Sequence, residues 1–199
     1  MANKVITITR QYGSGGREIG QKLAEAEGIE FYDNKLLDVA AGDSGIHKSH
    51  FEQNDERRSN SFLYLLSTTY GQGGVPFDDT LFFAQIGAIQ RIASEQSCVI
   101  IGRCADYALR DFDKVVNIFI SAPFETRVKR AIESYGIAEK HAEDYVKRID
   151  KQRTSYYNYY TDKRWGIPQN YHLCLDSSAL GIDGSVTLLK QFIADYYGE

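Results

Sequence analysis

Apolar residues along this chain follow two rhythms. Unbroken apolar and β-branched runs occur at Val5-Ile6-Thr7-Ile8-Thr9, Cys98-Val99-Ile100-Ile101 and Val115-Val116-Asn117-Ile118-Phe119-Ile120. Their length and composition are those of strands buried on both faces. Two further runs, Ile29-Glu30-Phe31-Tyr32 and Tyr171-His172-Leu173-Cys174-Leu175, bring the predicted strands to five. Between them the spacing becomes helical. Ile19, Leu23 and Ala26 follow the first strand, with Gly28 placed to end that helix. Asp33 or Asn34 caps a helix through Leu36, Leu37 and Ala40. Asp78-Asp79-Thr80 caps another, with Phe82, Ile86, Ile89 and Ala93 on one face. Pro123 opens a helix at its first turn, and Asp183 caps a closing one whose inner face is Val186, Leu189, Phe192, Ile193 and Tyr196. Apolar strands alternating with helices predict an α/β fold of three layers, α/β/α, around a five-stranded parallel sheet with right-handed crossovers.

A chain of 199 residues predicts a single domain, 1–199. Residues 42 to 79 are polar, with Gly, Ser, Asn and Asp recurring, and Phe62, Leu63, Leu65 and Leu66 interrupt them. So long a loop inside a compact domain reads as a functional excursion. A hydrophobic content of 43% with 25% charged residues is that of a soluble globule. The net charge of −4 argues against broad nucleic-acid or anionic-membrane binding. No run is long enough to span a membrane, and the chain enters its first strand without a signal-peptide core. The expectation is a cytoplasmic protein with no nucleic-acid and no membrane partner. Cys98, Cys104 and Cys174 have no C-x-x-C spacing and read as small reduced fillers. The histidines show no ligand spacing beyond a weak pair at 47 and 50, so no metal site is assigned.

The chemistry begins after the first strand, in Arg10-Gln11-Tyr12-Gly13-Ser14-Gly15-Gly16-Arg17-Glu18-Ile19-Gly20. Strand, glycine turn and helix together aim backbone N–H groups and a helix N-terminus at an anion. Arg17 stands in the first helical turn, where the dipole disfavours a cation unless an anion sits beside it. Three readings stand for this turn. One is a plain strand-to-helix connection. Another is a dinucleotide fingerprint, G-x-G-x-x-G: Gly13 and Gly15 fit, Glu18 takes the third glycine position, and Asp33 lies where a ribose-binding acid would. The third is a P-loop, G-x-x-x-x-G-K-[ST], which puts Gly16 at the lysine and Arg17 at the Ser/Thr.

Ligands of such sheets bind beyond the carboxyl ends of the strands. Residues after each strand should therefore converge: Gly13 to Arg17, Asp33, Arg103 with Asp106, and the segment after Ile120. A second basic segment runs from Lys147 to Arg153. Glu143 with Lys147 and Asp144 with Arg148 are i,i+4 pairs, which account for two of its cations as helix decoration. Arg153 has Ile149 at that spacing and needs another explanation. Phosphoryl transfer uses cations around the transferred group, arginine above all for its bidentate fork. Arg153 therefore ranks ahead of Arg148. Tyr156, Tyr157, Tyr159 and Tyr160 follow, either packing this segment onto the core or stacking on a base.

Taken in order, these pieces resemble the cytidylate kinase-like family of the P-loop nucleoside monophosphate kinases. The resemblance is carried by Ile6 to Gly20, Phe31-Tyr32-Asp33, Val99-Ile100-Ile101-Gly102-Arg103-Cys104-Ala105-Asp106, Ile118 to Pro123, Arg127, Asp150 with Arg153, and Leu175-Asp176-Ser177. It implies a core of P-loop kinase type, a helical lid at about 136–168 and an acceptor-binding excursion at about 42–79. It also implies transfer of the ATP γ-phosphate to a nucleoside monophosphate, with Mg²⁺. On this mapping Gly13, Ser14, Gly15, Gly16 and Arg17 cradle the ATP phosphates. Asp33 and Arg103 face the acceptor, with Asp106 beside them, and Arg148 and Arg153 close from the lid. Arg17, Arg148 and Arg153 become the candidate catalytic cations.

The chain departs from cytidylate kinases at Gly16, where they carry lysine, and at Arg17, where they carry Ser, Thr or Gly. Ile101 and Cys104 stand where acids flank their Gly-Arg pair, and no arginine follows Asp33 in the next helix. The usual hydroxyl ligand to magnesium is missing. Two function classes remain. An ATP-dependent kinase acting on a nucleoside monophosphate or similar small acceptor is favoured by the basic lid and Arg103. A non-catalytic nucleotide- or phosphate-binding protein is favoured by the absent lysine. A dinucleotide oxidoreductase ranks third, opposed by Glu18 and by the lack of a distinct substrate domain.

Overall fold

A computed structural model describes residues 3–33, 35–44 and 77–198. Most of the predicted excursion, with His47, His50 and the Phe62 to Leu66 cluster, lies outside the described residues, as does Asn34. The elements in chain order are β1 (Val5–Arg10), α1 (Gly16–Glu27), β2 (Glu30–Tyr32), α2 (Lys35–Ser44), α3 (Phe77–Glu95) and β3 (Cys98–Ile101). Then come α4 (Ala105–Ala108), β4 (Val115–Ser121), α5 (Phe124–Glu133), α6 (Glu139–Thr161), β5 (Leu173–Asp176) and α7 (Ser177–Tyr197).

The five strands pair in the order β2-β3-β1-β4-β5, every pair parallel. This is the predicted sheet, with β1 at its centre. Alternation along the strands divides the core into two layers. Ile6, Ile8, Val99, Ile101, Val116 and Ile118 meet Ile19 and Leu23 of α1 and Leu189 and Ile193 of α7. Val5, Cys98, Ile100 and Val115 meet Leu36 of α2 and Leu81, Ile89 and Ile92 of α3. Helices thus cover both faces, and the central strand's carboxyl end opens between them.

Three local expectations change. Helix α3 begins at Phe77, so Asp78, Asp79 and Thr80 lie inside its first turn rather than ahead of it. Helix α7 begins at Ser177, capped by the Asp176 carboxylate, which accepts the Ser178 N–H at 2.8 Å. Gly181, at φ 67° and ψ −175°, then breaks it, so the predicted start at Asp183 marks where the helix resumes. Cys174 is exposed, because β5 is an edge strand; only Cys98 and Cys104 are buried fillers.

The predicted lid segment contains α6, a helix of 23 residues fastened at two places. Toward its middle, Asp150 accepts the Tyr12 N–H at 2.7 Å through one oxygen and pairs with Arg127 at 2.5 Å through the other. Arg127 also donates to the carbonyls of Ala122 (3.0 Å) and Tyr12 (3.2 Å), so its buried guanidinium holds three acceptors. Nearer its end, Tyr157 donates to Asp106 at 2.6 Å, and Tyr160 stacks on Phe82 with centroids 3.9 Å apart. The other Asp106 oxygen is buried and meets no hydrogen-bond partner among the described residues. Burial raises the Asp106 pKa above the usual carboxylate range, only partly opposed by the Tyr157 hydroxyl.

Replacing Asp150 by Ala leaves a buried guanidinium without its counter-ion and should cost about 3–5 kcal/mol in denaturant unfolding. A loss below about 1 kcal/mol would mean the pair does not hold the helix. For Asp106 the folded pKa lies above the unfolded one. Its contribution is therefore full below the unfolded pKa and is lost as pH rises through the folded value. Asp106→Asn is neutral at every pH, so its melting temperature should gain on the wild type as pH is raised from the unfolded value, about 4, into the alkaline range. A difference that stays flat across that range would overturn the assignment.

Candidate active site

Strand β1 ends at Arg10, and the chain reverses through Gln11 to Gly15 before entering α1. Gly13 and Gly15 are left-handed, at φ 80° and 78°, a conformation side chains rarely adopt. Both are also hemmed in from behind. A Cβ on Gly13 would collide with the Arg127 carbonyl, and one on Gly15 would stand 2.5 Å from Ile182 and 2.9 Å from the Arg130 guanidinium. Ser14 is fully buried. Its hydroxyl donates to the Gln11 carbonyl at 2.9 Å, and its own carbonyl accepts the Ser177 hydroxyl at 2.5 Å. Gln11 in turn accepts the Ala122 N–H at 3.2 Å. The turn is therefore rigid before any ligand arrives, and α1 presents the first-turn amides that a helix cannot satisfy itself. One turn amide, that of Tyr12, already holds a carboxylate, that of Asp150.

The cations are distributed unequally. Arg17 turns toward Asp33, with Nε 2.6 Å from Oδ2, and its guanidinium lies 5.9 Å from the Phe31 ring centre. The anion that a first-turn cation requires is thus the chain's own Asp33. Arg153 donates to the Arg10 carbonyl at 2.9 Å and sits 5.6 Å from the Tyr12 ring centre. Burial lowers its pKa, opposed by the charges of Asp150 and, more weakly, Asp33. Arg148 lies on the exposed face of α6, over the Tyr145 ring at 4.8 Å. Lys147 pairs with Glu143 at 3.2 Å, as its spacing predicts. At the end of β3, Gly102, Arg103 and Cys104 are all left-handed, at φ 68°, 58° and 53°. For the two non-glycine residues this is local strain, and it swings the chain sharply into α4.

Glycine turn, Arg17, Asp33 and Arg153 come together at the carboxyl edge of the sheet, with Arg103 at the end of the neighbouring strand. Asp106 does not join them, because its carboxyl is turned inward to Tyr157. Arg148 does not either. Among the tyrosines, Tyr157 packs inward, while Tyr159 and Tyr160 help line a cavity of about 350 Å³ with Phe82, Phe83, Tyr107 and Arg110.

Two site cations escape the sequence reading. Arg130 stands against Gly15 and lies 3.8 Å from Glu18. Its signal was a position one helical turn past Arg127. Arg10 reaches further. A Cβ on Gly16 would stand 2.6 Å from the Arg10 Cβ, and one on Gly102 would collide with the Arg10 guanidinium. Its signal was its place at the first glycine of the P-loop pattern.

The described residues do not fit a protein-held magnesium ion at this turn. Arg17 replaces the hydroxyl residue, and the Ser14 hydroxyl is bonded inward. No group of three or more His, Cys, Asp or Glu able to hold a metal occurs among the described residues.

Comparison with known proteins agrees with this architecture. Among solved structures, an uncharacterized protein from Eubacterium ventriosum superposes with a TM-score of 0.73 at 28% identity, over 96% of this chain and 98% of that one. The shikimate kinase of Bacteroides thetaiotaomicron gives a TM-score of 0.57 at 16% identity, covering 96% and 98%. A gluconokinase from Sinorhizobium meliloti gives 0.54 at 14%, covering 98% and 95%. The two kinases, at such low identity, show the shared fold. No curated protein matches the sequence. The model of the cytidylate kinase-like family matches residues 5–179, from β1 through the start of α7. The chain belongs to the cytidylate kinase-like family.

Proposed function

We propose that this protein transfers the γ-phosphate of ATP to a small acceptor, a nucleoside monophosphate before others. The observation that carries the reading is the rigid glycine turn opening α1 at the carboxyl end of the central strand, with Arg17, Arg130 and Arg153 around it. Preorganised amides and cations of this kind stabilise the charge that spreads over phosphate oxygens during transfer. Gly13 to Gly16 with the first amides of α1 receive the ATP phosphates. Asp33 and Arg103 flank the acceptor, with Arg17 holding Asp33 in place by their 2.6 Å pair. Arg153 adds charge from α6, and Arg148 is the more peripheral cation of that helix. An acceptor oxygen bonds to the γ-phosphorus as the bond to the bridging oxygen breaks, and ADP leaves. Magnesium, if bound with the nucleotide, supplies further neutralisation of the phosphates.

A second reading has its own support. Gly16 removes the motif's lysine, and Asp150 occupies the Tyr12 amide. Both suit a nucleotide- or phosphate-binding protein that performs no transfer. The partner in either case is a small molecule rather than a nucleic acid or membrane. No helix among the described residues is long and apolar enough to cross a membrane.

Thermal unfolding with ATP, GTP and NAD, followed by an acceptor screen, separates these readings. ATP at about one hundred times its Kd should stabilise the fold by about 2.7 kcal/mol, and NAD should not. The screen pairs ATP with CMP, other nucleoside monophosphates, shikimate and gluconate, reading ADP release. Stabilisation by NAD alone would return the dinucleotide reading. Stabilisation by ATP with no ADP above background for any acceptor would favour the binding protein.

A further inference from the structure

We propose that Arg10 supplies the phosphate-facing charge that the motif's lysine supplies elsewhere, the cation having moved from position 16 to position 10. This rests on the nucleotide-phosphate reading above. Set on G-x-x-x-x-G-K-[ST] with Gly15 as the second glycine, the first glycine becomes Arg10 and the lysine becomes Gly16. The two departures are one event in space. A Cβ on Gly16 would lie 2.6 Å from the Arg10 Cβ and 3.2 Å from its Cγ. Neither is the flexible end of a side chain, so a lysine at 16 and the arginine at 10 in this conformation exclude each other.

Gly16 has no backbone reason to be glycine. It is not among the residues with positive φ, and it opens a helix, which glycine favours less than alanine. The stem of Arg10 is the nearest obstacle, with the Ile120 Cβ 3.1 Å away beside it. Gly102 answers to the other end of the same side chain, because a Cβ there would strike the Arg10 guanidinium. The stem thus crosses the vacated lysine position, and the head rests at the end of β3, where the phosphate turn meets the acceptor side.

The neighbouring cations stand around the turn with partners of their own. Arg17 leaves toward Asp33 at 2.6 Å, Arg130 stands at Gly15 beside Glu18, and Arg153 holds the Arg10 carbonyl at 2.9 Å. That last bond fixes the backbone from which Arg10 projects. The Arg10 backbone also lies in register beside Ile120 of β4. A planar fork on a fixed base can meet two phosphate oxygens at once, which a lysine cannot.

Calorimetric titration of ATP and of adenosine into the wild type and three variants tests this. Arg10→Gln keeps most of the stem and removes the charge. It should bind ATP about 10- to 100-fold more weakly, the scale of a lost charge-assisted hydrogen bond, and adenosine within about twofold of wild type. Arg10→Lys should fall between. The double variant Arg10→Gly with Gly16→Lys rebuilds the motif and should return ATP affinity to within about threefold of wild type. Equal ATP affinity in Arg10→Gln overturns the proposal. So does an equal loss for ATP and adenosine, which would make Arg10 a strut. A folded double variant that binds ATP no better than Arg10→Gln overturns the exchange of positions. If the wild type binds no ATP at all, the nucleotide reading itself falls, and this inference with it.

Discussion

The fold's working edge depends on one carboxylate. A tight glycine turn exposes backbone N–H groups that water reaches poorly once helices close over them, and each unmet group costs stability. Asp150 meets one of these, the Tyr12 amide, from a helix that begins more than a hundred residues later. Its own charge is balanced by Arg127, whose main-chain carbonyl in turn backs Gly13. Turn, α5 and α6 are therefore one unit, in which no member can shift without exposing an unpaired polar group to the interior.

That unit explains how a chain of net charge −4 can carry a concentrated basic site. Four arginines near the turn have specific partners: Asp33 for Arg17, Asp150 for Arg127, Glu18 for Arg130, the Arg10 carbonyl for Arg153. Such partners hold the cations in place before a ligand binds, the condition under which fixed charges stabilise a transition state most. Net charge reports none of this, since it sums over the whole surface.

Helix α6 is tied at a second point by quite different chemistry. Near Tyr157 the contacts are aromatic, and its carboxylic partner, Asp106, is buried where its neutral form is favoured. A lid motion of this helix would break a charged contact at one point and an aromatic cluster at the other.

The sequence by itself determined the five strands, the three-layer order and the glycine turn, because these rest on local periodicity and on a contiguous motif. It also placed Arg17, Asp33, Arg103 and Asp106 along one edge, since parallel strands bring their carboxyl ends together whatever the loops do, and it singled out Arg153 separately, by its spacing in a helix. Partners across long separations were decided only by tertiary structure. The i,i+4 rule could pair Lys147 with Glu143, but no local rule could pair Arg17 with Asp33 or Asp150 with the Tyr12 amide. Asp106 shows the converse: near the site in sequence, it is drawn away by a tyrosine 51 residues later. Cys174 looked buried in its apolar run, and only its place on an edge strand exposes it. Arg10 stands within the glycine-turn motif, yet its bearing on Gly16 required three dimensions. A side chain's path across two glycines is set by packing between strands, and packing is written in the fold rather than in any one stretch of sequence.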